Sequence, residues 1–333
     1  MMHSLSCPTV SVIIPVHNGG EKFIKCLKSL KALSTPPLEV IVVLDGGSDN
    51  SCETMTEFDV KVLIKQRQEG PALARNLGAQ HARGDILFFI DADVTVPAGI
   101  IEDIINSFQS FPNLDALIGS YDDAPFESNF LSQYKNLLHH YIHQTSKIQA
   151  STFWGACGAI RRDVFLKMGG FDKRYRHPSI EDIELGYRLR KAGYMIYLLK
   201  QIQVKHLKHW GIFSLLKADF FYRALPWTDL ILNDRRIIDD LNLKRASRLS
   251  VIAVFMLILT VIGSVYSVWI LVPMTFLTVL LIRLNWDLYR FFKEKRGLIF
   301  AVKAIPWHWF YLFYCGLAYG VGFAKYQIKR SKF

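Results

Sequence analysis

Acidic side chains all but vanish from the last 90 residues: positions 244–333 hold 2 Asp+Glu against 13 Lys+Arg. Positions 1–243 are balanced, 27 against 27, so the whole net charge of +11 is C-terminal. A neutral first part argues against a basic nucleic-acid-binding domain, and the tail suits an anionic lipid surface. Cysteine is sparse: Cys7, Cys26, Cys52, Cys157 and Cys315 form no C-x-x-C pair and no framework spacing. They read as reduced thiols in a cytosolic setting. The opening "MMHSLSCPTVSVIIPV" lacks the basic n-region and long apolar core of a signal peptide, an expectation that keeps the bulk of the protein on the cytoplasmic side. Internal repeats and low-complexity segments are missing as well.

Charge is wholly absent from 249–282, a run of 34 residues. One straight helix of that length would span about 50 Å against a hydrocarbon core of roughly 30 Å, so two packed crossings joined near 263–267 or near Pro273 fit better. A second uncharged stretch, 305–324, lies between Lys303 and Lys325. The basic segments 244–248, 283–303 and 325–332 all call for the cytoplasmic side. A hairpin at 249–282 satisfies the first two, and 305–324 then lies in the interface or re-enters. Its Trp307, Trp309, Tyr311 and Tyr314 suit that depth.

What is present earlier in the chain is an alternation. "TVSVIIPV", "LEVIVVLD", "VKVLIKQ" and "DILFFIDADV" are short continuous apolar runs, the first and third followed by helical stretches, "NGGEKFIKCLKSL" and "GPALARNLGAQHA". Continuous apolar strands alternating with helices predict an α/β domain with a mainly parallel sheet. Ligands in such sheets sit beyond the carboxyl ends of the strands, where Asp45, Asp91 and Asp93 lie. Further on, 129–148 has helical periodicity, "IEDIELGYRLRKAGY" reads as a helix stopped at Gly193, and 209–227 as an aromatic-rich amphipathic helix ended by Pro226.

Asp91-Ala92-Asp93 closes a buried run with two hard oxygen ligands. That suits Mg²⁺ or Mn²⁺ with substrate phosphates; it equally suits a turn or helix cap before Pro97. Four neighbours in one order bear on the choice: "SVIIPVHN", "VVLDGGSDNS", "FWGACGAIRR…FLKMGGFD" and "IEDIELGYRLRKAGY". Together with "GPALARNLGAQHARGDILFFIDADV" they resemble the family 2 glycosyltransferases, GT-A-fold enzymes that use nucleotide-diphosphate sugars. The resemblance covers roughly 9–210.

The resemblance implies roles. Residues matching Pro15 and Asp45 line the base pocket, and Arg75 of A-R-N lies near the nucleotide. Asp91 sits by ribose and metal, and Asp93 is the direct metal ligand. Asp182 of the E-D pair is the catalytic base of inverting members, with Glu181 orienting acceptor or base; an E-D at a helix start is also simply a good cap. "FWGACGAIRR", with Trp154, Gly155 and Arg161, is the loop over donor sugar and acceptor, although Arg161-Arg162 equally reads as surface charge. His206 in "VKHLKHW" completes the metal shell or touches the diphosphate, or is a surface histidine. Trp210 stacks on sugar or acceptor, or anchors the next helix. His139 and His143 share a helix face but read as solvated or acceptor-facing. "DGGSDNS" lacks the P-loop lysine and the dinucleotide-binding spacing.

Departures from the family pattern fall on nucleotide recognition: Gly19-Gly20 where an acid often follows the asparagine, and Leu44-Asp45 where paired acids are common. A Q-x-x-R-W motif is absent, which favours single transfer over processive synthesis. The expectation is therefore a GT-A domain at 1–210, an amphipathic interfacial helix and linker at 211–248, and a membrane region at 249–333. The implied activity is a metal-dependent (Mn²⁺ or Mg²⁺), inverting, cytoplasm-facing, membrane-anchored transfer to a lipid-linked acceptor. The alternatives are a silent nucleotide-sugar-binding protein of the same fold and a pyrophosphorylase, whose Gly-rich, Arg/Lys-bearing loop "PVHNGGEKF" does not supply.

Overall fold

The structure is a computed structural model describing residues 7–47, 55–234 and 240–331. Cys52 and residues 48–51 of the "DGGSDNS" loop lie outside the described residues. The chain divides into two units, 1–128 with 143–209, and 129–142 with 210–333.

In the first unit the apolar runs become strands: β1 Val10–Val16, β2 Glu39–Asp45, β3 Lys61–Lys65, β4 Ile86–Ile90, β5 Val94–Thr95, β6 Ala116–Tyr121, β7 Cys157–Arg161 and β8 Ile196–His206. They form one sheet in the order β3-β2-β1-β4-β7-β6-β8-β5. Strands β3, β2, β1 and β4 run parallel, as do β6 and β8. β7 runs against both its neighbours and β5 runs against β8, so the sheet is mixed. A strand buried on both faces shows the same apolar run whichever way it points, which is why sequence does not reveal the reversal. The reversal has a use: Cys157, which opens β7, pairs with Ile90, which closes β4, so the loop before β7 arrives at the carboxyl end of β4.

Helices α1 Gly20–Lys31, α2 Pro71–His81 and α3 Ile100–Ser110 connect the strands. α1 buries Phe23, Cys26, Leu27 and Leu30, spaced 3, 1 and 3 residues apart on one helical face. Pro15 is tolerated in a central strand because β4 pairs with β1 only as far as Ile13, two residues before the missing N–H.

The second unit begins with α4 Phe130–Gln144, whose last two residues belong to the first unit. α5 Arg162–Lys167 and α6 Glu181–Lys191 return to the first unit, and then α7 Ile212–Lys217 leads through a π-helical turn, Ala218–Ala224, into α8 Leu225–Asp234. Pro226 therefore does not end a helix, contrary to the sequence expectation. It falls in the first turn of α8, where a proline leaves no hydrogen bond of that helix unmade. The uncharged run 249–282 is divided between α9 Arg245–Gly263 and α10 Leu271–Leu284. α11 Trp286–Arg330 contains the stretch 305–324 and breaks once, at Gly297.

Tyr134, Leu137 and Leu138 of α4 pack with Leu288, Tyr289 and Phe292 of α11. The Tyr134 hydroxyl lies 2.8 Å from His308 Nδ1, His308 Nε2 lies 3.2 Å from Asn285 Oδ1, and Asn285 Nδ2 donates to Ser250 Oγ at 3.0 Å. Among the described residues two helices, Arg245–Gly263 and Trp286–Arg330, are long and apolar enough to cross a membrane; Val268–Leu284 is apolar but shorter.

Candidate functional site

The site grows from the end of β4. All five of its residues are buried, and the chain must turn where Asp91 and Asp93 begin. Val94 N donates back to Asp91 O, making that turn, and two residues of β5 then pair with the end of β8, Val94 opposite His206. Leu207 N donates to Asp93 O at 2.8 Å. The outcome is Asp93 Oδ2 at 3.9 Å from His206 Nε2. His206 is buried, with its ring stacked on Tyr121 at 4.2 Å and 11°, and Tyr121 meets the edge of Trp154 at 4.8 Å. Tyr121 was not anticipated; its signal was an aromatic residue closing an otherwise aliphatic and small-residue strand.

A buried guanidinium lies on the other side. Arg75 Nη2 donates to Asp91 Oδ1 at 2.5 Å and Nη1 to Glu181 Oε1 at 2.9 Å. Burial works against its charge, but the Asp91 and Glu181 carboxylates outweigh that and hold its pKa above the usual range. Glu181 opens α6 and also accepts from Ser179 N at 2.9 Å. Asp182 accepts from Gly155 N at 3.0 Å and Ile183 N at 2.8 Å. Burial, then the Glu181 carboxylate, push Asp182 up to about 6; the two N–H groups and Arg75 pull the other way. A carboxylate lifted into that range can take a proton and give it up near neutrality.

The remaining sequence candidates are placed differently. Asp45 is buried at the end of β2, with Glu69 N and Gly70 N donating to its oxygens at 3.0 and 2.6 Å and Lys65 Nζ at 3.1 Å. Its carboxylate is held by these three protein donors. His17, beyond Pro15, lies 3.1 Å from Asp45 O and 2.5 Å from Gly46 O through Nδ1. Arg161 does not join the group. It lies at the far end of β7, four residues or about 13 Å from Cys157, donating from Nε to Leu114 O and covering the Phe108 ring. Trp210 is buried in the second unit, its backbone N–H donating to Ser132 Oγ at 2.8 Å. His143 is buried rather than solvated, its Nδ1 2.9 Å from Gly119 O.

Among the described residues, no three His, Cys, Asp or Glu side chains converge as a metal site. Asp91 turns an oxygen to Arg75 instead of joining Asp93. The pair that fits an ion is Asp93 with His206: with metal–ligand distances of about 2.0–2.2 Å, two ligands of one ion stand roughly 3 to 4.3 Å apart, and these stand 3.9 Å apart.

Residues 11–169 match the family model of glycosyl transferase family 2, and residues 137–210 match one described as the N-terminal domain of galactosyltransferase. Glycosyltransferase GlyG of Streptococcus pneumoniae is 31% identical over 117 residues, covering 34% of this chain and 38% of that protein. The probable glycosyltransferase YdaM of Bacillus subtilis is 28% identical over 205 residues, 57% and 48% of the two chains. This chain thus spans less than half the length of either curated relative. Among solved structures, mannosyltransferase PcManGT from Pyrobaculum calidifontis, in complex with GDP-Man and Mn²⁺, superposes with a TM-score of 0.58 at 17% identity, over 94% of this chain and 86% of that one. The paired acids at the end of β4 therefore lie in a family 2 glycosyltransferase domain, the acids opening α6 fall within the 137–210 match, and the fold is GT-A.

Proposed function

We propose that the chain is a membrane-anchored glycosyltransferase that moves one sugar from a nucleotide-diphosphate donor to a lipid-linked acceptor, with inversion. The observation that carries this reading is the single guanidinium joining Asp91 to Glu181, which makes the metal-side and base-side acids parts of one rim. PcManGT was solved with GDP-Man and Mn²⁺, which supports a nucleotide sugar and a divalent ion here.

Asp93 and His206 would hold the ion, the donor's phosphate oxygens completing its shell. A bound Mn²⁺ or Mg²⁺ supplies positive charge to a diphosphate leaving group. Asp182 accepts the acceptor's hydroxyl proton as its oxygen attacks the anomeric carbon, and the N–H groups of Gly155 and Ile183 aim its oxygens. Glu181, fixed by Arg75 and Ser179, orients the acceptor or Asp182. Trp154, backed by Tyr121 at one edge and His143 at 5.2 Å, walls the sugar and acceptor space. Pro15 and Gly46 close the base pocket at the ends of β1 and β2.

The exposed apolar side chains of α9 and α10, among them Leu249, Ile252, Leu259, Val272 and Phe276, support a hairpin through the bilayer. The uncharged part of α11 would be embedded beside it, and the basic segments flanking both support a catalytic unit on the cytoplasmic side. The amphipathic stretch from α7 to the π-helical turn would lie in the interface.

The test is a donor screen: membranes containing the full chain, labelled UDP-, GDP- and dTDP-sugars, and mass spectrometry of lipid products with Mn²⁺ or with EDTA. Transfer that needs Mn²⁺ and is lost in Asp93→Ala is expected. Near-normal transfer by Asp93→Ala would remove the metal role.

A further inference from the structure

We propose that Arg75 is a positioning residue that never touches the donor: it fixes the gap between the metal-side strand end and the base-side helix. The inference rests on the glycosyltransferase reading and assigns to A-R-N a different task from the nucleotide contact that the family resemblance implies.

Arg75 is 4% exposed. Its two terminal nitrogens are directed at carboxylates on different elements, Asp91 after β4 and Glu181 at the start of α6. The flat face of the guanidinium is covered from below by Phe171, whose ring centroid is 5.5 Å from Cζ. Phe171 is itself pinned by the next residue of the motif: Asn76 Nδ2 donates to Phe171 O and Phe171 N donates to Asn76 Oδ1, both at 2.8 Å. A methyl group added at Gly155 would stand 3.0–3.2 Å from Cζ and both terminal nitrogens. Gly155 is thus the residue whose missing side chain lets the loop close over the guanidinium, and its N–H holds Asp182.

Arg75 therefore sets three things at once: where Asp91 leaves β4, where Glu181 begins α6, and how closely the Gly155 peptide approaches Asp182. A planar fork can span two carboxylates; an ammonium cannot keep both at that spacing. Reacting groups displaced by about 1 Å can lose about a hundredfold in rate without any change in what is bound.

Two variants of the full chain test this, Arg75→Lys and Gly155→Ala. The first keeps the charge and breaks the span; the second keeps the arginine and displaces it. Binding is read by calorimetry with UDP and with GDP, each with Mn²⁺, and turnover by the transfer assay. Each variant is expected to lose about a hundredfold in kcat while the Kd of whichever nucleotide the wild type binds stays within about threefold. A Kd weakened tenfold or more, or kcat retained, would overturn the positioning role. Should Arg75→Lys fail to fold, Gly155→Ala answers the same question. If the wild-type chain neither binds a nucleotide nor transfers, the glycosyltransferase reading has failed rather than this one.

Discussion

Glu181 and Asp182 are adjacent in the chain and differ in every partner. Glu181 receives a guanidinium and the Ser179 N–H, whereas Asp182 receives only peptide N–H groups and sits beside the Glu181 charge. Its folded pKa of about 6 lies above the ordinary carboxylate value of 3.8, so Asp182 still holds a proton in part of the range where an unfolded chain has lost it. Its contribution to stability accordingly falls as pH rises from 3.8 towards 6. In its proposed role as the base it would be competent only above that point. The kcat/KM profile for a hydroxyl acceptor is expected to fall about tenfold per pH unit below pH 6. Glu181→Gln removes the repelling charge and should move that limb to lower pH; a limb that stays put would belong to a titrating acceptor such as a lipid phosphate. At this scale the acids were legible, because a buried apolar run ending in two carboxylates is a physical anomaly. The placement of His206 was not. It depends on β5, a two-residue strand, pairing with the end of β8 more than a hundred residues later. The engagement of Asp45 by Glu69 N and Gly70 N was equally hidden, since backbone donors leave no trace in residue identity.

At the scale of elements, α11 is two helices meeting at Gly297, whose φ of 82° and ψ of 172° lie in a region essentially reserved for glycine. Gly297→Ala should destabilise the protein by about 1–3 kcal/mol, read as a lowered Tm of the detergent-solubilised chain. An unchanged Tm would mean that the two halves can fuse into one straight helix at no cost. The signal was visible as a lone glycine in "KEKRGLIF", between a charged and an apolar stretch. The helical nature of 129–148 and 209–227 was legible from their patterning. The π-helical turn at Ala218–Ala224 was not, because it follows from what Asp219 must reach: Lys135 Nζ donates to its oxygens at 2.6 and 2.8 Å, and the Tyr314 hydroxyl donates at 2.9 Å. Tertiary partners, not local propensity, select such a turn.

For the whole molecule, the charge asymmetry and the uncharged runs already separate a neutral first part from a basic, apolar last part. The structure adds that α9 and α10 leave Val261, Ile262, Val272 and Val279 exposed along their length. Side chains of this kind in quantity are stable only against lipid or protein. Cell membranes containing the protein, washed in alkaline carbonate, are expected to retain it in the pellet, whereas release into the supernatant would reduce the association to a peripheral one. What sequence order could not show is that the units interleave: the chain enters the second unit at 129, leaves it at 142 and returns at 210.

That interleaving bears on how the protein is made. Tyr134 of α4 finds its partner His308 only 174 positions later. At about 5–20 residues per second, the ribosome needs roughly 9 to 35 seconds to supply it. Through that interval the apolar side of α4, with Tyr134, Leu137 and Leu138, is without the α11 residues that cover it in the finished protein. The nascent chain thus carries a timed vulnerability at its centre, one that a holdase or prompt insertion into the bilayer would have to cover.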